Sequence, residues 1–166
     1  MIKREHPIWR TAIGESSHRF LSPESTKPCV IAGVIFDDTP GFQHDSDGDV
    51  VFHAMCNAIS SLTHAPIISE FAQALIEREG IVDSEVYLRR ALTTLVGQKI
   101  MSVSVSLEAK RPTFQEQLVN MRQNIARILE ISIEEVGITA IFGDGLTDSS
   151  CGDGVHCLVS ITTVEH

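Results

Sequence analysis

Met101-Ser102-Val103-Ser104-Val105-Ser106-Leu107 alternates apolar and hydroxyl side chains without a break. That two-residue period marks a strand with one buried and one polar face. Such a strand needs neighbours, and the sequence offers them on both sides. Towards the C-terminus, residues 114–129 carry a helical apolar period, while 136–142 and 155–164 read as closing strands. Towards the N-terminus, residues 9–13 and 29–36 read as strands that pair with each other across the polar stretch 22–27, which contains Pro23. Between these groups, apolar residues recur at Val50, Ala54, Ala58 and Leu62, predicting a helix over 49–62 with Ser46 and Asp47 as capping candidates. Two more helices follow, over 69–79 closed by Gly80 and over 83–96 closed by Gly97. Strands at both ends and helices in the middle predict an α+β fold, a four- to five-stranded mixed sheet with helices packed on one face. The serine face of residues 101–107 is then either solvated or buried between subunits.

The chain has 166 residues, 43% hydrophobic and 21% charged. These are ordinary globular values, and the expectation is a single domain over 1–166 rather than a disordered tail, a collagenous repeat or a coiled coil. Thirteen Lys and Arg against 22 Asp and Glu give a formal net charge of −9, so no diffuse basic surface invites a nucleic acid. Apolar runs such as 29–36 fall far short of the roughly 18–20 residues of a membrane helix. The charged N-terminus lacks a following long apolar stretch, so no secretory signal is expected and a cytoplasmic location is. Four cysteines, Cys29, Cys56, Cys151 and Cys157, include no CxxC pair. Free thiols are expected, three of them acting as small hydrophobes within apolar segments and Cys151 lying in a Gly-rich stretch.

The densest chemistry lies in Gln43-His44-Asp45-Ser46-Asp47-Gly48-Asp49-Val50-Val51-Phe52-His53, with two imidazoles and three carboxylates in eleven residues. Such a mixture suits a divalent cation if the groups converge; a solvated acidic turn capping a helix is the plainer alternative. Asp49 stands one turn before His53, where a carboxylate can orient the imidazole from behind. Ser16 and His18 share one face of an extended segment through their i, i+2 spacing. A second cluster, Gly143-Asp144-Gly145-Leu146-Thr147-Asp148-Ser149-Ser150-Cys151-Gly152-Asp153-Gly154, is either a long surface turn or a phosphate-binding loop in which Asp144 holds Mg²⁺. It lacks the Gly-Lys-Ser/Thr ending of a Walker A loop. A third, Glu108-Ala109-Lys110-Arg111-Pro112-Thr113-Phe114, is a strand-to-helix connection that could also hold a base through backbone contacts.

From about Ile13 to the C-terminus, these pieces together resemble the 2-C-methyl-D-erythritol 2,4-cyclodiphosphate synthase family of the non-mevalonate isoprenoid route. Gly14-Glu15-Ser16-Ser17-His18 lies against the family's G-x-D-x-H, Ala32-Gly33-Val34 against G-G-V, and Ser46-Asp47-Gly48-Asp49-Val50 with His53 against S-D-G-D-V-x-x-H. Asp83-Ser84, Pro112 with Met121-Arg122, and the ungapped stretch from Ala140 to Gly154 complete the match. The S-D-G-D-V-x-x-H stretch is the specific part. The resemblance implies a homotrimer with active sites between neighbouring subunits. It also implies a CDP-linked substrate whose 2-phosphate attacks the β-phosphate of its own diphosphate, closing a cyclic diphosphate and releasing CMP. The implied cofactors are Zn²⁺ (or Mn²⁺) and Mg²⁺.

Carried over residue by residue, the resemblance puts Zn²⁺ on Ser16, His18 and His53 with Asp49 behind, and the second cation on Asp144. Asp45 and Asp144 become the catalytic carboxylates, and Ser46, Asp47, Ala109, Pro112, Phe114, Ala140, Ile141 and Phe142 the substrate-binding set. The chain departs from the pattern at several of these positions. Ser16 replaces the Asp, removing an anionic ligand unless Glu15, His44 or Asp45 takes its place, and Glu15 faces the other side of a regular strand. Asp45 stands where a His precedes S-D-G-D in the family, Asp144 replaces a Glu, and Ile67-Ile68-Ser69 replaces D-I-G. Cys151 replaces an Arg implied to lie near the trimer axis. Two readings follow: a working synthase with an unusual metal shell, or a catalytically impaired paralogue that keeps the trimer and binds a nucleotide or isoprenoid diphosphate.

Overall fold

The computed structural model describes residues 6–68 and 72–165. In chain order the elements are β1 (Ile8–Arg19), β2 (Pro28–Ile31), β3 (Val34–Pro40), α1 (Val50–Thr63), α2 (Ala72–Glu79), α3 (Ser84–Leu92), β4 (Gln98–Glu108), α4 (Leu118–Leu129), β5 (Val136–Ile141), α5 (Asp148–Cys151) and β6 (Gly154–Glu165). The expected α+β class holds, with a four-stranded mixed sheet in the order β1-β6-β4-β5. β6 is antiparallel to both β1 and β4, and β4 runs parallel to β5. The serine alternation falls within β4: Val103, Val105 and Leu107 are buried while Ser102, Ser104 and Ser106 are exposed. On the same sheet face, α1 is buried along nearly its whole length from Val50 to Ile59 and packs on β1 and β6.

Gly14 sets how close that helix can lie. A Cβ at this position would collide with the backbone of Ala54 and Ala58, so a side-chain-free residue on β1 lets α1 rest directly on the strand.

The N-terminal pairing differs from expectation. β1 extends over twelve residues and pairs with β6, Ile8 opposite Glu165 through Arg19 opposite Gly154. Residues 29–36, read as one strand, instead fold back as the separate β2–β3 hairpin. The reversal sits at Ala32 and Gly33, whose φ angles of 52° and 70° are both left-handed, the backbone of a tight hairpin turn. Asp49 rather than Ser46 or Asp47 caps α1, its side chain accepting from Val51 N and Phe52 N.

α3 ends at Leu92 rather than 96, because Thr93 and Thr94 turn their hydroxyls back onto Arg90 O and Ala91 O. α4 begins at Leu118 rather than 114: Pro112 sits just upstream, and Phe114 is buried edge-on against Phe36 with ring centroids 5.7 Å apart. The expected start of the second helix, Ser69, lies outside the described residues. Cys29, Cys56, Cys151 and Cys157 are free thiols, and only Cys151 among them is exposed. Among the described residues, no helix is long and apolar enough to cross a membrane.

Candidate metal centre

Three imidazoles meet where β1 ends, α1 begins and the β3–α1 loop passes between them. β1 carries Ser16 and His18 on its helix-facing side, α1 carries His53 one turn past its cap, and the loop brings in His44. One ring nitrogen from each of His18, His44 and His53 falls within a set spanning 4.8 Å. Ring centroids are 4.7 Å apart for His18 and His44, 4.8 Å for His44 and His53, and 5.0 Å for His18 and His53. His18 Nε2 lies 2.9 Å from His53 Nδ1. Two nitrogens bound to one tetrahedral zinc, each about 2.0–2.1 Å from it, stand roughly 3.3 Å apart. The pair is therefore within a few tenths of an ångström of a zinc geometry, and the donor set is one that zinc accepts.

Electrostatics keep the rings ready. Desolvation, with His44 and Lys27 adding to it, lowers His18 to about 4. Burial and the other two rings lower His53 to about 3. Burial and Lys27 also lower His44, against the opposing pull of Asp45 and Asp47. Neutral imidazole is the ligating form, so near pH 7 the cluster needs no deprotonation to take a cation.

Each ring is held from outside the cluster. His53 Nε2 lies 2.9 Å from Ser84 Oγ, and Ser84 in turn donates its hydroxyl to Asp47 Oδ1 and its backbone N–H to Asp47 Oδ2 at 3.0 Å. With Nε2 donating to Ser84, Nδ1 of His53 keeps its lone pair on the cluster side. Asp49, expected behind His53, does something else. Its carboxylate accepts from Ala32 N and Gly33 N as well as Val51 N and Phe52 N, at 2.7–3.1 Å, tying the hairpin turn to the start of α1. Ser84 and Asp47 take the orienting place instead. Ser46, 1% exposed, holds His44 Nδ1 through its N–H at 3.1 Å and its Oγ at 2.9 Å. Lys27 Nζ donates to three carbonyls of the loop, Phe42 O, His44 O and Ser46 O, at 3.0, 2.6 and 2.6 Å.

Ser16 lies beside the cluster, its Oγ 3.4 Å from His18 Nε2. Glu15 points to the opposite sheet face and pairs with His156 at 2.9 Å, as strand alternation requires. Asp45 is exposed at the loop surface, adding its charge near His44 and Lys27.

The Gly-rich loop is anchored from its two ends. Glu108, at the end of β4, accepts from Ser149 Oγ at 2.6 Å and from Thr147 Oγ1. Arg19, at the end of β1, bridges Asp148 and Asp153 at 3.0 and 3.1 Å. His18 and Arg19 line a cavity of about 400 Å³ with Thr147, Ser149 and Asp153. Asp144, exposed and in a left-handed conformation at φ 53°, lines a different cavity with Lys110, Phe142 and Cys151. Ala109, Phe114, Ala140, Ile141 and Phe142 line a third, of about 120 Å³, while Pro112 is buried. Within one chain, then, His18 lines one cavity, Asp144 a second and the expected base residues a third. Lys27 and Arg19 were not singled out from the sequence, and Ser84 and Glu108 stood there within quoted stretches without these roles. Their partners lie 15 to 41 residues away for Lys27, Ser84 and Glu108 and 129 and 134 for Arg19, and no local spacing announces them.

A family model described as the YgbB family matches residues 9–164. Two relatives, from Chlamydia felis and Chlamydia caviae, are 51% and 52% identical over 160 residues, covering 96% of this chain and 91% of theirs; both are named 2-C-methyl-D-erythritol 2,4-cyclodiphosphate synthase. Among solved structures, the bifunctional IspDF from Campylobacter jejuni superposes with a TM-score of 0.86 at 22% identity, over 97% of this chain and 43% of that one. A 2C-methyl-D-erythritol-2,4-cyclodiphosphate synthase in its CDP-bound form superposes with a TM-score of 0.80 at 25% identity, over 93% of this chain and 99% of that one.

Proposed function

Because this chain belongs to the YgbB family, whose relatives at about half identity are named as cyclodiphosphate synthases, we propose that it is the enzyme closing 2-C-methyl-D-erythritol 2,4-cyclodiphosphate from a CDP-linked 2-phosphate in isoprenoid precursor synthesis. A 2-phosphate oxygen forms a new bond to the β-phosphorus. The bond from that phosphorus to the bridging oxygen breaks, and its electron pair leaves on CMP. The observation that carries this reading is the convergence of neutral His18, His44 and His53 beside an open cavity.

His18, His44 and His53 would hold Zn²⁺ and Asp144 would contribute a carboxylate to Mg²⁺; when bound, these ions would supply Lewis-acid polarisation of the phosphoryl oxygens and offset the charge that develops there. The chain's own part is positioning. Ser84 and Asp47 fix the His53 ring, and Ser46 and Lys27 fix that of His44. Ala109, Phe114, Ala140, Ile141 and Phe142 offer an apolar cleft to the cytosine. Holding nucleophile and electrophile of one substrate together gives the rate advantage of orientation, and no protein nucleophile is required.

The separation of the histidine cluster from the cavities of Asp144 and of the base residues supports a homotrimer in which one copy's histidines meet a neighbour's Asp144 and base cleft. The helix-free sheet face supports the same assembly, since it exposes Ile13 at 63% and Leu158 at 39% beside Ser104, Ser106 and Ser160. The direct test is turnover of the CDP-linked substrate by metal-stripped and by zinc- and magnesium-reconstituted protein. Equimolar CMP and cyclic diphosphate are expected only after reconstitution, and His53→Ala should lower the rate by about 100-fold or more. Equal rates with and without metal would defeat the proposal.

A further inference from the structure

We infer that His44, rather than residue 16, supplies the third protein ligand to the cation held by His18 and His53, making this an all-imidazole site. The inference rests on the reading that His18 and His53 bind a divalent cation. Residue-by-residue carry-over put Ser16 in that role. A neutral hydroxyl is a weak ligand for a borderline ion, and Ser16 Oγ reaches no closer than 3.4 Å to His18 Nε2. His44 brings a ring nitrogen into the cluster from the far side of the loop. Its approach is built rather than incidental. Three carbonyls of the segment that carries it, including its own, converge on the Lys27 ammonium and fix the path of the loop. Asp45, next to it, stays exposed and outside the cluster.

The ligand set changes the chemistry. A carboxylate with two imidazoles carries one negative charge; three imidazoles carry none, so the ion keeps its full double charge toward the phosphoryl oxygens. Nitrogen-only donors also favour Zn²⁺ and Co²⁺ over Mn²⁺ and Mg²⁺, which prefer carboxylate and water. The loop is then a replacement ligand arm, with residues 16 and 44 alternative sources of one coordination position.

The test is zinc affinity by competition with a chromophoric chelator, with no substrate present. His44→Ala should weaken zinc binding by about 100-fold or more and Ser16→Ala should change it less than about threefold, while Lys27→Met, which frees the loop, should cost about tenfold. The double variant Ser16→Asp with His44→Ala should recover most of the lost affinity. X-ray absorption at the zinc edge of the unmodified protein should show three imidazoles, a readout that does not depend on any variant folding. Two imidazoles, or full affinity in His44→Ala, would overturn the assignment of His44 while leaving the metal reading intact. Failure of the unmodified protein to bind zinc would overturn both.

Discussion

Burying three imidazoles beside one another has a consequence for stability as well as for metal binding. In an unfolded chain the rings titrate near 6.5, whereas in the folded protein His18 is held at about 4 and His53 at about 3, with His44 also lowered. Below pH 6.5 the unfolded state therefore takes up protons that the folded state refuses, and stability falls as pH drops towards 4. Asp49 works in the opposite direction. Burial pushes its carboxyl up to about 7 against the pull of its backbone donors, so the folded state gains that proton first. One carboxyl opposes three imidazoles, and the net expectation for metal-free protein is a lower urea midpoint at pH 5 than at pH 7; an unchanged or higher midpoint would contradict it. His18 and His53 were legible in the sequence because a strand's period of two and a helix turn's spacing placed them. His44 was one of three candidates for a missing ligand, and strand alternation removed only Glu15. The choice between His44 and Asp45 depends on a loop whose shape is set by Lys27, fifteen to nineteen residues upstream.

At the level of elements, the site depends on how closely α1 lies on β1, since His18 and His53 come one from each. Gly14 sets that separation, because a Cβ there would meet the Ala54 and Ala58 backbone, which cannot move aside as a side chain tip could. Gly14→Ala should destabilise the protein by about 2 kcal/mol or more, visible as a lower thermal midpoint, together with weakened zinc binding; wild-type stability in this variant would show that the helix stands further off. β4 and β6 were readable because alternation over a half-buried sheet is an unambiguous signal. The β2–β3 hairpin was not, because its turn opens on Ala32, without the Asn or Asp that usually marks a left-handed first position. Its apolar flanks then read as one continuous strand. The capping role of Asp49 was hidden for a related reason: its carboxylate serves both the helix and that unrecognised turn.

For the whole molecule, one fact of layout dominates. The histidine half-site opens beside β1, α5 and β6, while Asp144 and the cleft around Ala109 and Phe142 line cavities of their own. The sheet face that no helix covers carries Ile13 and Leu158 among serines and the Glu15–His156 pair, a surface of mixed character suited to a second copy. If the active site is shared as proposed, turnover needs both halves, drawn from different copies of the chain. This is tested most directly by mixing two inactive variants, His53→Ala and Asp144→Ala, under conditions that exchange subunits, and measuring CMP release. In randomly mixed trimers about one site in four combines an intact histidine half with an intact Asp144 half, so the mixture should recover close to a quarter of the unmodified activity. A mixture as inactive as its components, with subunit exchange demonstrated independently, would contradict the shared site.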